Sequence, residues 1–419
     1  MLFLRDITSS RSPDSSLWVL LVTRTGHWGA MLQLPGVLRR ARLNVALFSH
    51  ADAMARASWN LADRIAAPND HTFVAALKSH LATRNYRWVI FGDEPTFYEI
   101  AAAAQNNPAD AEWISRWFPI AHPESGVDHI TSKAAFANAA AQFNIPTPQS
   151  VVCHDEDAVR AAIDRLGYPV MLKTSIGCAG DGVIKVDHLN QLEAAFAMLS
   201  DRLPIVVQKF ESGLIGMTEI LFDHGKPICW WPTFKTEVFP EPYGPSCVRT
   251  LPSEAQIDKM EPIIHAVGQM TQFHGFCGID WIYNQTGEFN VLEFNPRPTP
   301  GTHFATMTGQ DLSMAVRDML AGRHLPQRPR AMASSGKLVY LFPQYVKRTI
   351  RHRRWRDLRH YLPFTQLHDV PWDEPGIMAK QVWSILNLLM RDMRSSLRNR
   401  FRRSRSIPPT TVLGQAPVN

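Results

Sequence analysis

The sequence has little of what marks secreted, disulfide-bonded or membrane-spanning proteins. It contains five cysteines in 419 residues, and no two of them form a CxxC pair. This odd, scattered set predicts reduced thiols and excludes a disulfide framework or a cysteine-ligated zinc site. No apolar run reaches the roughly 18 residues of a membrane-spanning helix, and the N-terminus lacks the order of a signal peptide. We therefore expect a cytoplasmic protein.

Two common nucleotide-binding motifs are also missing. The turn after the apolar run 17–22 reads Thr25-Gly-His-Trp-Gly and lacks the GxGxxG pattern. No acidic residue follows it at the distance that ribose binding requires, so a dinucleotide-dependent oxidoreductase is a weak alternative. The glycine-rich stretch 177–182 has no GK[ST] after it, which excludes a Walker A motif.

The composition is that of a globular protein, and its length allows two or three domains. Apolar runs at residues 17–22, 44–48 and 88–92 predict buried parallel strands, and residues 73–81 predict a helix between them. Strands that alternate with helices indicate βαβ units. We therefore predict a Rossmann-like domain over residues 1–124.

The net charge of +6 is unevenly distributed. Residues 345–405 contain 15 Lys or Arg and 5 Asp or Glu, so the rest of the chain is slightly acidic. Within residues 378–405, apolar positions fall near one helical face: Val382, Ile385, Leu386, Leu389, Met393 and Leu397. A basic amphipathic helix predicts contact with an anionic membrane or with nucleic acid. The alternative is a helix docked on the protein itself, with a solvated tail from about Ser404. We favour the docked helix and expect no specific nucleic-acid partner.

A lysine-bearing strand and a glycine-rich loop follow one another in the middle of the chain. Residues 169–173 predict a strand that ends at Lys173, and Gly177, Gly180 and Gly182 come next. Glycines let backbone amides wrap an anionic ligand without Cβ clashes, and the lysine supplies a point charge for phosphate oxygens. The alternative is a glycine-rich turn beside a solvated lysine.

A second polar segment interrupts an apolar strand at residues 205–213. Gln208, Lys209, Phe210 and Glu211 lead into a Gly-containing break, and Glu219 follows. Such a break can present backbone groups to an adenine edge, and the later acid can accept hydrogen bonds from ribose hydroxyls. The alternative is a hairpin with solvated acids.

The most informative segment is residues 278–298. Asp280 and Glu293 lie in two predicted strands joined by the tight connection Asn284-Gln-Thr-Gly. Glu293 and Asn295 are two residues apart and therefore share a face. Their oxygens suit Mg²⁺ that bridges phosphates, and Arg297 would place a guanidinium beside that site.

These segments resemble the ATP-grasp superfamily both in the residues they contain and in their order along the chain. The resemblance covers residues 126–323, and its most specific part is the terminal Glu-x-Asn-x-Arg pattern. Two positions depart from the family pattern, because Gln208 stands where the hinge often has Glu, and Asp280 where Glu is common. The resemblance assigns ATP contacts to Lys133, Lys173, Gly177, Gly180, Gly182, Gln208, Lys209, Phe210, Glu211 and Glu219. It assigns Mg²⁺ ligation to Asp280, Glu293 and Asn295, and the reaction centre to Arg297 and Lys173.

The resemblance implies a mixed α/β and α+β fold. It would comprise a Rossmann-like domain (1–124), a two-subdomain ATP-grasp domain (125–324) and a basic, partly helical extension (325–419). The implied activity is an ATP-dependent ligase that joins a small-molecule carboxylate to an amine, with ATP and Mg²⁺ or Mn²⁺ as cofactors; a homodimer is a further expectation. A non-catalytic ATP-binding module is the alternative. Without a motif to support them, the pocket candidates are His303, Tyr243, Arg249 and Trp281.

Overall fold

The computed structural model describes residues 17–24, 29–121, 127–177, 182–241, 244–331, 338–361 and 367–405. Side chains are described within these ranges except at residue 367 and from residue 392 onward. The turn at residues 25–28, Gly180 and Tyr243 therefore lie outside the described residues. Within the described ranges, no helix combines the length and apolarity that crossing a membrane requires.

The N-terminal region is a parallel sheet of four strands in the order β3-β2-β1-β4. The strands are β1 Trp18–Thr23, β2 Asn44–Ser49, β3 Asp63–Ala66 and β4 Tyr86–Phe91. The helices are α1 Ala30–Arg40, α2 Phe73–Leu81, α3 Glu94–Asn106 and α4 Pro108–Ser115, with a 3₁₀ turn at Met54–Ala57. The strands β1, β2 and β4 and the helix α2 confirm the predictions from the sequence. The edge strand β3 was not predicted, because its four residues are not continuously apolar.

A small antiparallel sheet follows, in the order β5-β8-β6-β7. Its strands are β5 Ser150–Cys153, β6 Val170–Thr174, β7 Val183–Val186 and β8 Ile205–Lys209. The helices of this region are α5 Asp128–Thr131, α6 Lys133–Gln142, α7 Glu156–Leu166 and α8 Leu192–Ala197, with 3₁₀ turns at Leu189–Gln191 and Ser200–Arg202. The sheet and its helices share a separate hydrophobic core, so they form a lobe of their own.

The largest sheet has seven strands in the order β13-β12-β9-β10-β11-β14-β15. These are β9 Gly213–Asp223, β10 Lys226–Val238, β11 Ser246–Thr250, β12 Gly275–Asn284, β13 Phe289–Asn295, β14 Leu338–Tyr340 and β15 Leu367–His368. The helices α9 Glu254–Thr271 and α10 Leu312–Leu320 accompany it, with a 3₁₀ turn at Thr302–Thr308. Alternation along β9 sends Phe222 into a core shared with α9 and Leu221 into a core shared with α1. The sheet is thus buried between α9 and the N-terminal region.

The C-terminal segment ends in a long helix. The elements here are α11 Gln344–Arg351, a 3₁₀ turn at Trp355–Tyr361, and α12 Pro375–Arg405. Ile377, Gln381 and Ile385 of α12 are buried, and the buried Glu374 just before it accepts hydrogen bonds from Ser58 Oγ (2.5 Å) and the Trp59 backbone nitrogen (2.9 Å). The first turns of α12 are therefore docked on the N-terminal region, as the favoured prediction has it.

The opposite face of α12 is exposed. Its exposed apolar side chains are Val382, Trp383, Leu386 and Met390. The helix continues through the predicted start of a solvated tail at Ser404, and residues 406–419 lie outside the described residues. The predicted apolar face is thus divided, because Ile385 points inward while Val382 and Leu386 point to solvent.

Candidate active site

The acidic hairpin predicted from the sequence is formed by β12 and β13. Asp280 lies directly opposite Glu293, and Gly278 lies opposite Asn295. The connection closes through a hydrogen bond from Asn284 N to Glu288 O (2.9 Å). Because cross-strand partners point to one face of a sheet, the two carboxylates are neighbours.

Two lysines from other elements approach these carboxylates. Lys133 Nζ lies 3.6 Å from Glu293 Oε2 and donates to the Gly177 carbonyl at 2.7 Å. It is placed by the start of α6, where the Ser132 hydroxyl accepts from Ala135 N and caps the helix. Lys235 Nζ, on β10, lies 3.0 Å from Asp280 Oδ1. Each carboxylate of the hairpin therefore has its own ammonium partner.

The crowding of charge shifts two pKa values. Withdrawal from solvent, and then the neighbouring Asp280 carboxylate, raise the pKa of Glu293, while Lys133 and Lys173 oppose that rise. Burial lowers the pKa of Lys173 to about 8, with Lys133 adding to the decrease and Glu293 opposing it. Lys173 Nζ donates to Gln208 Oε1 at 2.6 Å. Burial therefore disfavours the charged form of both Glu293 and Lys173.

Arg297 connects the hairpin to the N-terminal region. Its Nη2 donates to Glu94 Oε1 at 2.9 Å and to Asn295 Oδ1 at 3.2 Å, and both Arg297 and Glu94 are buried. Glu94 is the first residue of α3, directly after the Asp93 that caps this helix. A buried ion pair thus joins the end of β13 to the carboxyl end of the parallel sheet.

The segment between β8 and β9 crosses from the small sheet to the large one. β8 and β9 are not neighbours in either sheet, which rules out the alternative of a simple hairpin. Lys209 Nζ donates to the carbonyls of Leu166 (2.8 Å) and Gly167 (2.9 Å). Glu211 Oε2 accepts from Asn290 at 2.7 Å. These two side chains therefore fasten the connection between the sheets.

A second buried ion pair lies inside the large sheet. Arg249 Nη1 donates to Glu219 Oε1 at 2.8 Å and to Thr233 Oγ1 at 3.0 Å. Gly301 lies directly against this ion pair, and a Cβ atom on Gly301 would lie 2.0 Å from Glu219 Oε1. The pair therefore supports the loop that follows Arg297.

A family model described as an ATP-grasp domain matches residues 138–314. This region of the chain resembles ATP-grasp domains. It is 28% identical over 208 residues to a D-alanine--D-alanine ligase from an Arthrobacter species, which covers 43% of this chain and 53% of that protein. It is 28% identical over 193 residues to a phosphoribosylamine--glycine ligase from Phenylobacterium zucineum, which covers 44% of this chain and 43% of that protein. The chain thus spans about half the length of these relatives.

The fold extends the similarity beyond the ATP-grasp domain. The biotin carboxylase domain of 2-oxoglutarate carboxylase from Hydrogenobacter thermophilus, solved as a dimer with MgADP, ADP and bicarbonate, aligns with a TM-score of 0.59. The two are 15% identical, and the alignment covers 77% of this chain and 73% of that one. The predicted fold class, a Rossmann-like parallel sheet followed by an ATP-grasp fold, is confirmed.

The remaining predicted residues of the ATP-grasp domain lie in different surroundings. Gly177 and Gly182 flank residues outside the described ranges, and Gly182 needs its small size because a Cβ would lie 2.1 Å from Thr174 Oγ1. The Phe210 ring packs under Lys185 Nζ at 4.3 Å. Glu219 is 1% exposed, and its Oε2 has no hydrogen-bond partner among the described residues. The roles of these residues toward ATP stay predictions.

The pocket candidates without a motif fare differently. Trp281 does not line a pocket, contrary to the expectation from the sequence, because it is fully buried and its Nε1 donates to Thr218 Oγ1 at 2.8 Å. Arg249 forms an ion pair with Glu219 beneath the loop that follows Arg297. His303 is largely buried, with its Nε2 3.6 Å from Asp369 Oδ2.

Sequence reasoning missed Lys235 and Glu94. Lys235 follows the apolar run of β10, and no local pattern separates it from a surface lysine. Glu94 did carry a usable signal, because it stands just beyond β4, and ligands of open α/β sheets bind outside the carboxyl ends of the strands.

The donors of the ATP-grasp hairpin fit a hard divalent cation. Asp280 and Glu293 offer carboxylate oxygens on one face, and Asn295 lies two residue pairs further along the strands, opposite Gly278. The raised pKa of Glu293 reflects in part repulsion by Asp280, which a cation between them would relieve. Magnesium prefers oxygen ligands of this kind.

Proposed function

We propose that this chain is an ATP-dependent ligase that activates a carboxylate as an acyl phosphate and joins it to an amine or a similar nucleophile. The observation that carries the proposal is the convergence of Asp280 and Glu293 with Lys133, beside the Arg297–Glu94 pair. Both curated relatives reported above are named as ligases.

In the proposed site, Asp280, Glu293 and Asn295 hold Mg²⁺ or Mn²⁺. When bound with ATP, the cation would neutralise phosphate charge. Lys133 and Lys235 neutralise the same carboxylates from the sides. Since lysine side chains are long and flexible, both can turn toward phosphate oxygens when the carboxylates are otherwise balanced.

The proposed reaction has two steps. A carboxylate oxygen of the substrate attacks the γ-phosphorus of ATP, the bond to the ADP oxygen breaks, and ADP leaves. The amine then attacks the acyl carbon, phosphate leaves with the electron pair of the broken C–O bond, and the nitrogen loses a proton. Lys133 and Lys173 would disperse charge on the phosphoryl group, and Arg297 would hold the carboxylate. Closure of the β6–β7 hairpin would exclude water from the acyl phosphate.

The domain boundaries and the partners are part of the proposal. Residues 1–124, 125–324 and 325–419 would form the three regions described above, and a homodimer stays a prediction. The exposed stripe formed by Trp383, Leu386 and Met390 supports peripheral contact of α12 with an anionic membrane. Equal retention of the full chain and of a chain truncated before Met378 in a pull-down with anionic liposomes would contradict that contact.

A phosphate-release screen tests the proposed function. The full chain is assayed with MgATP and a panel of carboxylates, alone and then with amines, and the Glu293→Gln variant serves as the blank. We expect phosphate release that depends on one carboxylate class and rises when the correct amine is added. A chain that binds ATP but releases no phosphate with any pair would instead support the non-catalytic ATP-binding module.

A further inference from the structure

A group of histidines surrounds one aspartate at the end of the large sheet remote from the acidic hairpin. Asp223 ends β9, and His224 follows it in the turn to β10. His274 precedes β12, and His324 follows α10. On β9 the partner of Asp280 is Met217, six residues before Asp223, so this group lies about 20 Å from the hairpin carboxylates at about 3.3 Å per residue.

The side chains converge on the Asp223 carboxylate. His224 Nδ1 lies 2.7 Å and His274 Nδ1 lies 3.2 Å from Oδ1, and His324 Nδ1 lies 3.5 Å from Oδ2. The rings of His224 and His274 stack with centroids 4.4 Å apart. Potential ligand atoms of Asp223, His224 and His274 all lie within 4.8 Å of one another. Three loops that are far apart in sequence thus bring imidazole and carboxylate donors to one point.

We propose that Asp223, His224 and His274 bind a divalent transition-metal ion of the zinc class, with His324 as a fourth ligand. Imidazole nitrogens and carboxylate oxygens are ordinary zinc ligands at about 2.0–2.2 Å, and tetrahedral geometry then separates the donors by about 3.4 Å. The present separations from the Asp223 oxygens are close to that value. Small side-chain movements would therefore open the site for a metal.

The turn conformation suits a histidine at position 224. The φ of His224 is +47° and that of Gly225 is +78°, as in the two-residue hairpin turns that favour Asn-Gly or Asp-Gly. Histidine is among the few non-glycine residues that are enriched at positive φ. In this turn the His224 ring stacks on that of His274, which keeps the two imidazoles together.

The surroundings provide both access and a role. A cavity of about 370 Å³ lies beside His224 and His274 and is also lined by Arg87, Trp88 and Arg116, so a metal has an entry path. His274 N donates to Pro119 O at 2.7 Å, and its ring lies 6.0 Å from that of Trp88. A metal held here would tie the turn after β9 to the segments that precede β12 and follow α10, rather than take part in the proposed ligase reaction.

Metal titration of the full chain tests the site. Chelator-treated protein is titrated with Zn²⁺ in excess Mg²⁺, which occupies the oxygen site, and Co²⁺ is used separately for its visible absorption with nitrogen ligands. The variants are His224→Asn, which tolerates the turn conformation, and His274→Ala. The matched control is His265→Ala, which removes an exposed histidine of α9 outside the cluster.

We expect the wild type and His265→Ala to bind one equivalent of Zn²⁺ that raises the thermal midpoint. His224→Asn and His274→Ala should bind that equivalent at least about tenfold more weakly. Circular dichroism checks that each variant is folded. Equal zinc affinity in His224→Asn and the wild type, or a wild type that binds no such equivalent, would overturn the proposal.

Discussion

Two clusters on the same strands of the seven-stranded sheet carry different chemistry. In the oxygen cluster, near the middle of β12, Asp280 and Glu293 face lysines, so hard oxygen donors lie among positive charges. In the histidine cluster, where β9 ends, Asp223 faces imidazoles that are neutral or charged according to pH. Between them β9 and β12 are largely apolar and buried. The comparison teaches that the strands fix only the positions of the clusters, while the side chains in each cluster decide which ligand is suited.

The largest expected effect comes from removing one charge from the oxygen cluster. Glu293→Gln keeps the shape of the side chain but removes a proposed cation ligand. We expect MgATP turnover to fall by about 1000-fold or more, with unchanged circular dichroism. Glu288→Gln is the control, because Glu288 lies exposed in the same hairpin and pairs with Lys259. Turnover by Glu293→Gln at the wild-type rate would sink the metal assignment.

A smaller loss is expected where the hairpin meets the N-terminal region. Glu94→Gln leaves the buried Arg297 without its carboxylate partner, so the guanidinium loses its fixed orientation. We expect kcat/KM for the carboxylate substrate to fall about 10- to 100-fold, mainly because KM rises. Glu99→Gln, on the same helix, is the control because Glu99 pairs with Arg24 instead. Equal effects of the two substitutions would deny Arg297 a special role.

The lowered pKa of Lys173 predicts a pH dependence. In the free enzyme Lys173 is charged below about pH 8 and can then bind phosphate oxygens. We expect kcat/KM for ATP to fall as the pH rises above 8, by about tenfold per pH unit. Between pH 8 and 10.5 the unfolded chain binds more protons at this lysine, so this group makes stability rise with pH there.

Substitution by an arginine separates Lys173 from other groups. Lys173→Arg keeps its charge across this range, so the decline of kcat/KM above pH 8 should disappear in the variant. A decline that persists unchanged would assign it to another group.

The smallest expected effect tests whether the oxygen cluster and the histidine cluster are independent. His274→Ala removes a proposed ligand of the histidine cluster and changes no contact near the hairpin carboxylates. With Mg²⁺ as the only added metal, we expect MgATP turnover to stay within about twofold of the wild type, because sites this far apart without shared partners act additively. A loss of activity comparable to that of Glu94→Gln would show that the two clusters are coupled through β9.

The local patterns of the sequence determined much of this fold. Continuous apolar runs predicted β1, β2 and β4, and residues 73–81 were predicted to form the helix α2. The spacing of Asp280 and Glu293 around a tight connection predicted that the two carboxylates meet. Each of these rests on side-chain periodicity or turn chemistry over a few residues, which the chain fixes by itself.

Only the tertiary structure decided the contacts between distant segments. It brought Glu94 to Arg297 and Lys235 to Asp280, and it placed Glu219 under Arg249 in the interior of the sheet. It also gathered His224, His274 and His324 around Asp223. The physical reason is that strand order and helix packing determine which residues far apart in sequence meet, and neither can be obtained from the periodicity of one segment.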